Sequence, residues 1–267
     1  MKGVAKRGTK RADGVSAEDF VAVEEPLQIR IAGEAVSVTM RTPGDDARLA
    51  IGFLFSEGIV KSAADVGTVT HCGRPGEEGF GNVIEVIAAS GADLPLERAE
   101  TARRGTLTTA ACGVCGRRQI DDLLSLVPVI GETAAVSTRL LRAEAFTSLQ
   151  QNFAKTGGVH AAAALDFEGN LLAGFEDVGR HNAVDKVVGE LVLSNRLGKA
   201  GLLLVSGRSS FEIVQKAAMA RIPVVASVSA ASSLAIDLAV KCGITLVAFV
   251  RGGRFNVYSH PQRLTHP

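Results

Sequence analysis

Apolar and polar residues alternate through residues 26–40, on both sides of an Ala-Gly-Glu turn. This period of two predicts a β-hairpin. Residues 43–58 change to helical spacing, with Asp45 or Asp46 as the N-cap and Gly58 as the stop signal. The change of period from two to 3.6 therefore predicts a hairpin followed by an amphipathic helix.

Strand patterns return after this helix. Residues 65–71 and 81–89 each have the composition of a short strand, so we expect a smaller N-terminal α+β subdomain over residues 19–104. Residues 1–18 precede it, and five of the first thirteen residues are basic while Val4 is the only large apolar one besides Met1. Such a segment cannot bury much apolar surface and is predicted to be a disordered basic tail.

Short apolar strands and amphipathic helices take turns through the second half of the chain. A predicted helix over residues 143–157 ends at a glycine, and a hairpin with its turn at residues 167–170 follows. After a longer helix come three strands separated by helices, at residues 201–207, 223–229 and 244–250. Helices between continuous apolar strands indicate right-handed β-α-β units. We therefore predict a C-terminal α/β subdomain over residues 119–267 with a largely parallel sheet.

This topology also predicts where a ligand binds. In open parallel sheets, ligands lie beyond the carboxyl ends of the strands, where helix N-termini offer free N–H groups. Those ends are residues 206–210, 227–233 and 249–254, which are rich in Ser, Gly and Arg. In any one of these loops the serines could be ordinary helix N-caps and the arginines solvent-exposed surface residues. Three such loops at one sheet edge favour an anion or nucleotide site. The candidates in the first loop are Ser206, Gly207, Arg208, Ser209 and Ser210.

Composition and charge narrow the range of partners. A formal net charge of +1, no Trp and one Tyr offer neither an electrostatic footprint nor a stacking platform for nucleic acid. No apolar run reaches the roughly 18 residues that a membrane helix needs, and no export signal is recognisable. We therefore expect a cytoplasmic protein with reduced thiols that binds neither nucleic acid nor membrane.

Two cysteines, Cys112 and Cys115, lie in a polar, Gly-rich stretch at residues 105–118 that sustains neither period. It is predicted to be a mobile loop, and long loops in compact proteins are often functional. The Cys-x-x-Cys spacing suits half a zinc site, a redox couple or a sulfur-handling thiolate. A surface pair without any chemical role is the remaining alternative.

Zinc and redox chemistry each lack part of their usual context. A structural zinc site commonly uses two cysteine pairs, and this chain has one, although His71 and Cys72 could complete a ligand set. The zinc deaminase signature is also incomplete, because alanine stands two residues after His160 where glutamate is required. A thioredoxin-type pair follows a strand, and residues 105–111 are a poor strand. We expect no tightly held zinc.

An exposed thiolate is better supported. Basic residues flank the cysteine pair and would favour the thiolate over the thiol. A thiolate is the form that attacks a sulfane sulfur or carries one as a persulfide. The flanking basic residues are Arg103, Arg104, Arg117 and Arg118.

Residues 176–186 crowd acidic, basic and amide side chains at a predicted strand end and helix start. They suit a capping and ion-pair network, and they equally suit a histidine that orients a ligand or moves a proton. The sequence alone assigns no role to His160, His181 or Asp185.

Several longer segments carry a resemblance to a known family. They are LxxGFLFSEGI at residues 49–59, ACGVCG at 111–116, TGGVHAA at 156–162, EDVGRHNAVDKVVG at 176–189, SGRSSFEIVQKAA at 206–218 and FVRGGRFNVYSHP at 249–261. In these segments the chain resembles the FdhD family, the sulfur carrier proteins required for formate dehydrogenase activity. The resemblance spans most of the chain beyond residues 1–18.

This resemblance implies a specific sulfur transfer. Family members accept sulfur from a cysteine desulfurase as a persulfide and deliver it to the bis-(molybdopterin guanine dinucleotide) molybdenum cofactor, before that cofactor enters formate dehydrogenase. By position, Cys112 corresponds to the persulfide-bearing residue and Cys115 to its supporting partner. The segment that corresponds to the cofactor-binding stretch consists of Phe249, Val250, Arg251, Gly252, Gly253 and Arg254.

The resemblance also implies a fold and an assembly. The C-terminal half is expected to be similar to the cytidine deaminase fold without its zinc chemistry, and the protein is expected to form homodimers.

The competing functional class is a non-catalytic chaperone that holds the molybdenum cofactor and uses the two cysteines only as a clip.

Overall fold

The computed structural model describes residues 3–74, 76–77, 80–95, 127–142 and 148–266. The strands are β1 (Val4–Lys10), β2 (Ser16–Ala22), β3 (Glu25–Ile31), β4 (Glu34–Arg41), β5 (Val66–His71), β6 (Val83–Ala88), β7 (Val136–Ser137), β8 (His160–Leu165), β9 (Leu171–Asp177), β10 (Leu202–Val205), β11 (Val224–Ser227), β12 (Thr245–Arg251), β13 (Arg254–Ser259) and β14 (Leu264–Thr265). The helices are α1 (Asp46–Ser56), α2 (Phe153–Thr156), α3 (Arg180–Leu193), α4 (Phe211–Met219) and α5 (Ser233–Cys242). None of the helices in these ranges has both the length and the apolar character to cross a membrane.

The predicted hairpin and helix of the N-terminal half are confirmed. Strands β3 and β4 pair antiparallel within a sheet of order β4-β3-β6-β5, and α1 follows β4. The alternation in β3 places Leu27, Ile29 and Ile31 in the core, as a sheet with one buried face requires. The helix begins after Asp45, one of the two N-caps that the sequence offers.

The first residues are not the disordered tail that the sequence predicts. Strands β1 and β2 form an antiparallel hairpin whose register runs from Val4 opposite Ala22 to Lys10 opposite Ser16. The Lys6 ammonium lies 3.4 Å from a Glu18 carboxylate oxygen and 5.5 Å from the centre of the Phe20 ring. The prediction of a disordered tail was wrong because it considered only the charge and low hydrophobicity of these residues. Backbone pairing and cross-strand contacts supply order that an apolar count does not detect.

The C-terminal sheet is mixed rather than largely parallel. Its order is β13-β12-β11-β10-β8-β9, and only β10 with β11 and β11 with β12 pair in parallel. The β8–β9 hairpin and β13 are added to this parallel centre by antiparallel pairing. The sequence did predict the β8–β9 hairpin, but it held no signal for the direction in which the hairpin joins the sheet. The specific likeness to the cytidine deaminase fold stays a prediction.

The predicted helix over residues 143–157 is shorter in the described part of the chain. Residues 148–152 are turns and irregular backbone, and α2 covers only Phe153–Thr156 before Gly157 ends it with a left-handed φ of 61°. Glu176 accepts hydrogen bonds from the backbone N–H groups of Asn152 and Phe153, at 2.8 Å each. This carboxylate fixes the start of α2 from a neighbouring strand, which is a tertiary contact that local periodicity cannot show.

Helices α1 and α3 join the two halves of the molecule. They cross where each has a glycine, Gly52 in α1 and Gly189 in α3. A Cβ at position 52 would overlap the backbone carbonyl of Asp185, and a Cβ at position 189 would overlap that of Arg48. One cluster of buried apolar residues continues from the N-terminal sheet through both helices to the C-terminal sheet. The close crossing therefore fixes α3, and with it the start of α3, relative to the N-terminal half.

Candidate functional site

The carboxyl ends of β10, β11 and β12 lie side by side because these strands are parallel neighbours. We use the name strand-end loops for residues 206–210, 228–232 and 249–254. The structure brings all three together at one edge of the C-terminal sheet, where the sequence predicts an anion or nucleotide site.

Hydrogen bonds tie the first two strand-end loops to each other. The Ser209 N–H donates to the Ala230 carbonyl at 3.0 Å, and the Ser232 N–H donates to the Ser209 carbonyl at 3.1 Å. The Ser227 hydroxyl, at the end of β11, donates to the Gly207 carbonyl at 2.6 Å. Ser209 is fully buried, and its hydroxyl has no hydrogen-bond partner in the described ranges. The backbone of this edge is therefore held in place before any ligand binds.

Phe249 has an unusual backbone conformation in the third strand-end loop. Its φ is +58°, in the left-handed region that favours glycine, and its side chain is 44% exposed. The register between β12 and β13 shifts here, so that Phe249 and Val250 form a bulge opposite Phe255. The Phe249 N–H donates to the Ser229 carbonyl at 3.0 Å, which directs the bulge toward the second loop. A bulky residue in this region is typical of a functional site, where strain of about 1–3 kcal/mol is retained.

Arg251 and Arg254 form a direct cross-strand pair. The turn between them consists of Gly252 and Gly253, with φ values of 53° and 76°, as a type I′ turn requires. Both arginines are exposed. Like charges opposite each other destabilise a hairpin, so an anion between them would relieve the repulsion. Val250, which the sequence also placed in the site, is buried in the core below, so only its backbone can face a ligand.

The start of β8 reaches the same edge, which the sequence did not predict. The Ser206 N–H donates to the Ala161 carbonyl, and the Ala161 N–H donates to the Ser206 hydroxyl, both at 2.9 Å. His160 therefore lies beside Gly207, and an added Cβ at position 207 would be 3.3 Å from the His160 Nδ1. The sequence does not indicate this contact, because it depends on the antiparallel pairing of β8 with β10. That pairing places the first residue of β8 next to the end of β10.

The polar residues of segment 176–186 have two kinds of role: some form buried ion pairs, and others lie at the edge of the C-terminal sheet. Asp177 and Lys186 form a buried ion pair at 2.8 Å, and Asp185 pairs with Lys216 at 2.7 Å. The capping and ion-pair interpretation therefore describes Asp177, Asp185 and Lys186. Burial raises the pKa of the Asp185 carboxyl, while the Lys216 charge opposes that shift.

His181 takes a different position. Its Nε2 lies 3.0 Å from the Ser210 hydroxyl oxygen and 2.8 Å from a Glu212 carboxylate oxygen. His181 thus contacts the first strand-end loop directly, and Arg180 beside it lies against Gly207 of the same loop. These contacts fix the imidazole between Ser210 and Glu212 at the start of α4.

Cys112 and Cys115 lie outside the described residues, as do Arg103, Arg104, Arg117 and Arg118. In the described part, Cys72 and Cys242 are free thiols, and burial raises the pKa of the Cys242 thiol. No group of three or more His, Cys, Asp and Glu side chains in that part could hold a metal ion. The absence of zinc at the cysteine pair stays a prediction.

Comparisons with known proteins extend over nearly the whole chain. The model of the FdhD/NarQ family matches residues 22–265. A protein of Anaeromyxobacter dehalogenans named sulfur carrier protein FdhD is 53% identical over 270 residues, which cover 98% of this chain and 93% of the relative. A protein of the same name from Mycobacterium tuberculosis is 46% identical over 261 residues, covering 94% of each chain.

A solved structure is similar throughout as well. A crystal structure from Desulfotalea psychrophila, described as a candidate formate dehydrogenase accessory protein, superposes with a TM-score of 0.74 at 27% sequence identity. The similarity covers 98% of each chain. The likeness therefore includes the four-stranded N-terminal sheet, the six-stranded C-terminal sheet and the helices that join them.

Proposed function

Because this chain belongs to the FdhD/NarQ family, we propose that it is a sulfur carrier that serves formate dehydrogenase. It accepts sulfur from a cysteine desulfurase as a persulfide and passes that sulfur to the bis-(molybdopterin guanine dinucleotide) molybdenum cofactor before the cofactor is inserted. The observation that carries this proposal is the name shared by close relatives along almost the entire chain. The protein is then a sulfurtransferase, and we propose that it acts in the cytoplasm as a homodimer.

The described edge supports the acceptor side of this proposal. A bis-guanine-dinucleotide cofactor carries several phosphates, and Arg208, Arg251 and Arg254 are exposed at or beside the strand-end loops. Arginine binds phosphate through two parallel hydrogen bonds. The exposed ring of Phe249 offers a flat apolar surface to a guanine. We assign the cofactor to this edge.

The donor side rests on the cysteine pair. We propose that the Cys112 thiolate attacks the terminal sulfur of the desulfurase persulfide, which releases the desulfurase thiolate and leaves the sulfur on Cys112. Cys115 supports this residue. In the second transfer the S–S bond of the Cys112 persulfide breaks, the Cys112 thiolate leaves, and the terminal sulfur becomes a ligand of molybdenum, with the two electrons for its reduction supplied by the reduced metal of the acceptor cofactor. The second candidate function is that of a chaperone that only holds the cofactor. It is favoured by the described side chains of the strand-end loops, which are suited to binding a ligand and not to transferring sulfur.

Mass spectrometry separates the two candidates. Trypsin should release residues 105–117 as one peptide that carries both cysteines, because Arg104 and Arg117 border it. After incubation with a desulfurase and cysteine, we expect one added sulfur on the alkylated peptide, located on Cys112 by fragmentation. The Cys112→Ser variant should gain none, while Cys72→Ser serves as the matched control and should gain sulfur normally. An unmodified wild-type peptide would favour the chaperone.

Phe249→Gly tests the acceptor side. Glycine adopts a φ of +58° without strain, so we expect folding stability to change by less than about 1 kcal/mol. Loss of the ring should weaken binding of a guanine nucleotide by about tenfold, because aromatic stacking contributes about 1–3 kcal/mol per base. Calorimetric titration with GDP measures this affinity. Phe80→Gly removes a similarly exposed ring from the N-terminal half and should leave GDP affinity unchanged. Equal affinities of the two variants would remove Phe249 from the site.

A further inference from the structure

We propose that β1 is a docking strand, whose free edge binds an acidic, extended segment of a partner protein as a third strand. The partner is the enzyme that takes over the sulfurated cofactor, so the inference rests on the proposed function in its choice of partner. It assigns a role to the N-terminal ribbon, by which we mean residues 4–22 with strands β1 and β2. The family model matches residues 22–265 and therefore leaves out β1.

The N-terminal ribbon is a sheet of only two strands. From residue 6 to residue 20 it is exposed on both faces, with Ala17 half-buried. The Gly14 N–H donates to the Arg11 carbonyl at 2.9 Å, and Gly14 has a φ of 82°, the geometry of a three-residue hairpin loop. An isolated two-stranded hairpin is only marginally stable in water. A further strand would therefore stabilise this ribbon.

The register shows which backbone groups of β1 face its free edge. In an antiparallel pair, residues that exchange N–H···O bonds with the partner alternate with residues whose N–H and C=O point away from it. Arg11 and Val15 form a bonded pair, because the Arg11 N–H donates to the Val15 carbonyl at 2.9 Å. Along β1, the outward N–H groups are therefore those of Lys6, Gly8 and Lys10.

The two free edges of the ribbon differ. On β2, the outward N–H of Phe20 donates to the Asp19 carboxylate at 2.8 Å, so a side chain already occupies the middle of that edge. The three outward N–H groups of β1 have no acceptor in the described part of the chain. The Arg7 guanidinium donates to the Lys6 carbonyl, which can accept a second hydrogen bond. β1 is therefore the edge that is open to a further strand.

Charge determines which kind of strand fits this edge. The basic side chains of β1 and of the residue after it are Lys6, Arg7, Lys10 and Arg11. Two of them have acidic partners within the ribbon, at 3.4 and 3.8 Å. Arg7 and Lys10 form no ion pair with the carboxylates of the described residues. Opposite charges across a strand pair stabilise it and like charges destabilise it, so the edge favours an acidic segment.

A second copy of this chain fits the edge poorly. Two-fold pairing of β1 with β1 of another copy, centred on Gly8, would place Lys6 opposite Lys10. Pairing of β1 with β2 of another copy would use the edge that Asp19 already occupies. One added strand also buries less than the roughly 800 Å² per partner of a stable interface. The edge therefore suits a transient partner with a different sequence.

β1 begins close to the strand-end loops. A Cβ at Gly3, just before β1, would lie 2.8 Å from the Thr42 methyl group. The Thr42 hydroxyl accepts a hydrogen bond from the Val178 N–H at 3.0 Å, and Arg180, farther along that segment, lies against Gly207. The seven residues of β1 span about 24 Å. An enzyme that takes the cofactor from the strand-end loops therefore comes within reach of β1.

Amide hydrogen exchange detects an added strand directly. Cofactor-free formate dehydrogenase from the same organism, at a saturating concentration, should slow exchange of the outward amides of Lys6, Gly8 and Lys10 by about tenfold or more. The inward amides of Arg7 and Thr9 are already bonded to β2 and should change much less. NMR reads the exchanged amides after the complex is dissociated. Outward amides that exchange equally fast with and without the enzyme would overturn the proposal.

Gly8 offers a matched pair of variants. Gly8→Pro removes one outward N–H and leaves the bonds between β1 and β2 in place. It should weaken binding of the cofactor-free enzyme by about tenfold or more, because the added strand loses a donor and meets the proline ring. Gly8→Ala keeps the N–H, and its methyl group enters open space, so it should bind like wild type. Equal affinities of the two variants would exclude strand addition at this edge.

Charge reversal tests the acidic character of the partner and does not depend on how the ribbon tolerates proline. Arg7→Glu combined with Lys10→Glu should weaken binding by about tenfold or more at about 0.05 M salt, and by less at about 0.5 M salt. Lys61→Glu combined with Arg74→Glu makes the same change of charge at exposed positions and should leave the affinity unchanged. Equal affinities of the two double variants would contradict an acidic partner.

Two further measurements identify the occupant of the edge. Gly8→Pro should leave unchanged both the molar mass from light scattering and the affinity for the desulfurase. A lower molar mass would assign the edge to a second copy, and weaker desulfurase binding would assign it to the sulfur donor; either result overturns the proposal. Persulfide formation on Cys112 is measured without formate dehydrogenase, so the docking strand and the sulfur-carrier proposal fail independently.

Discussion

Gly189→Ala should destabilise the protein by more than about 3 kcal/mol, a large part of the 5–15 kcal/mol that holds a typical domain together. The added methyl group would overlap the Arg48 carbonyl of α1 and would lie 2.9 Å from the Gly52 N. These neighbours are helical backbone atoms that cannot rotate away, so α1 and α3 would have to separate along their length. Helix propensity alone predicts the opposite sign, a gain of about 1 kcal/mol for alanine.

Urea unfolding followed by far-UV circular dichroism measures this effect. Gly198→Ala is the matched control, because that glycine has open space around it and needs no positive φ. Its stability should stay within about 0.5 kcal/mol of wild type. A Gly189→Ala variant as stable as wild type would mean that the two helices do not approach as closely as their backbone positions indicate.

The N-terminal elements were predictable because their patterns are local. The residues of β3 alternate between core and surface, and the apolar residues of α1 repeat at helical spacing. The crossing of α1 with α3 was not predictable. Gly52 and Gly189 are 137 residues apart in the sequence, and a helical glycine by itself does not indicate a partner backbone.

The strand-end loops were predictable for a similar reason. Parallel strands place their carboxyl ends at one edge, whatever the order of the outer strands. The contribution of His160 was not predictable, because it depends on β8 pairing antiparallel with β10. The left-handed conformation of Phe249 also lacks a local signal, since the bulge arises from the pairing of β12 with β13.

Buried ion pairs connect this edge to the rest of the molecule. Lys216 of α4 pairs with Asp185 of α3, and the Ser56 hydroxyl at the end of α1 lies 3.4 Å from the same carboxylate. Three helices thus meet at one carboxylate. Because α3 and α4 also carry His181 and Glu212, their relative position sets the geometry of the first strand-end loop. The crossing of α1 with α3 and these ion pairs together fix the edge from below.

Lys186→Met should destabilise the protein by about 3–5 kcal/mol, the typical loss when one member of a buried pair is removed. The Lys186 ammonium contacts the Asp177 carboxylate at 2.8 Å and donates to the Thr42 carbonyl at 3.0 Å. Methionine retains the apolar stem but leaves a fully buried carboxylate without its counter-charge. The Thr42 N–H also donates to Asp177, so the pair links the end of β4 to the C-terminal sheet.

A double-mutant cycle separates this charge pairing from simple loss of packing. Asp177→Asn leaves a buried ammonium unpaired, whereas the double variant removes both charges. We expect the sum of the two single losses of unfolding free energy to exceed the loss in the double variant by about 2 kcal/mol or more. Lys61→Met, at an exposed lysine, should change stability by less than about 0.5 kcal/mol. Strictly additive losses at positions 177 and 186 would show that the two side chains stabilise the fold independently. The ion pair would then not be what links the N-terminal and C-terminal halves of the molecule.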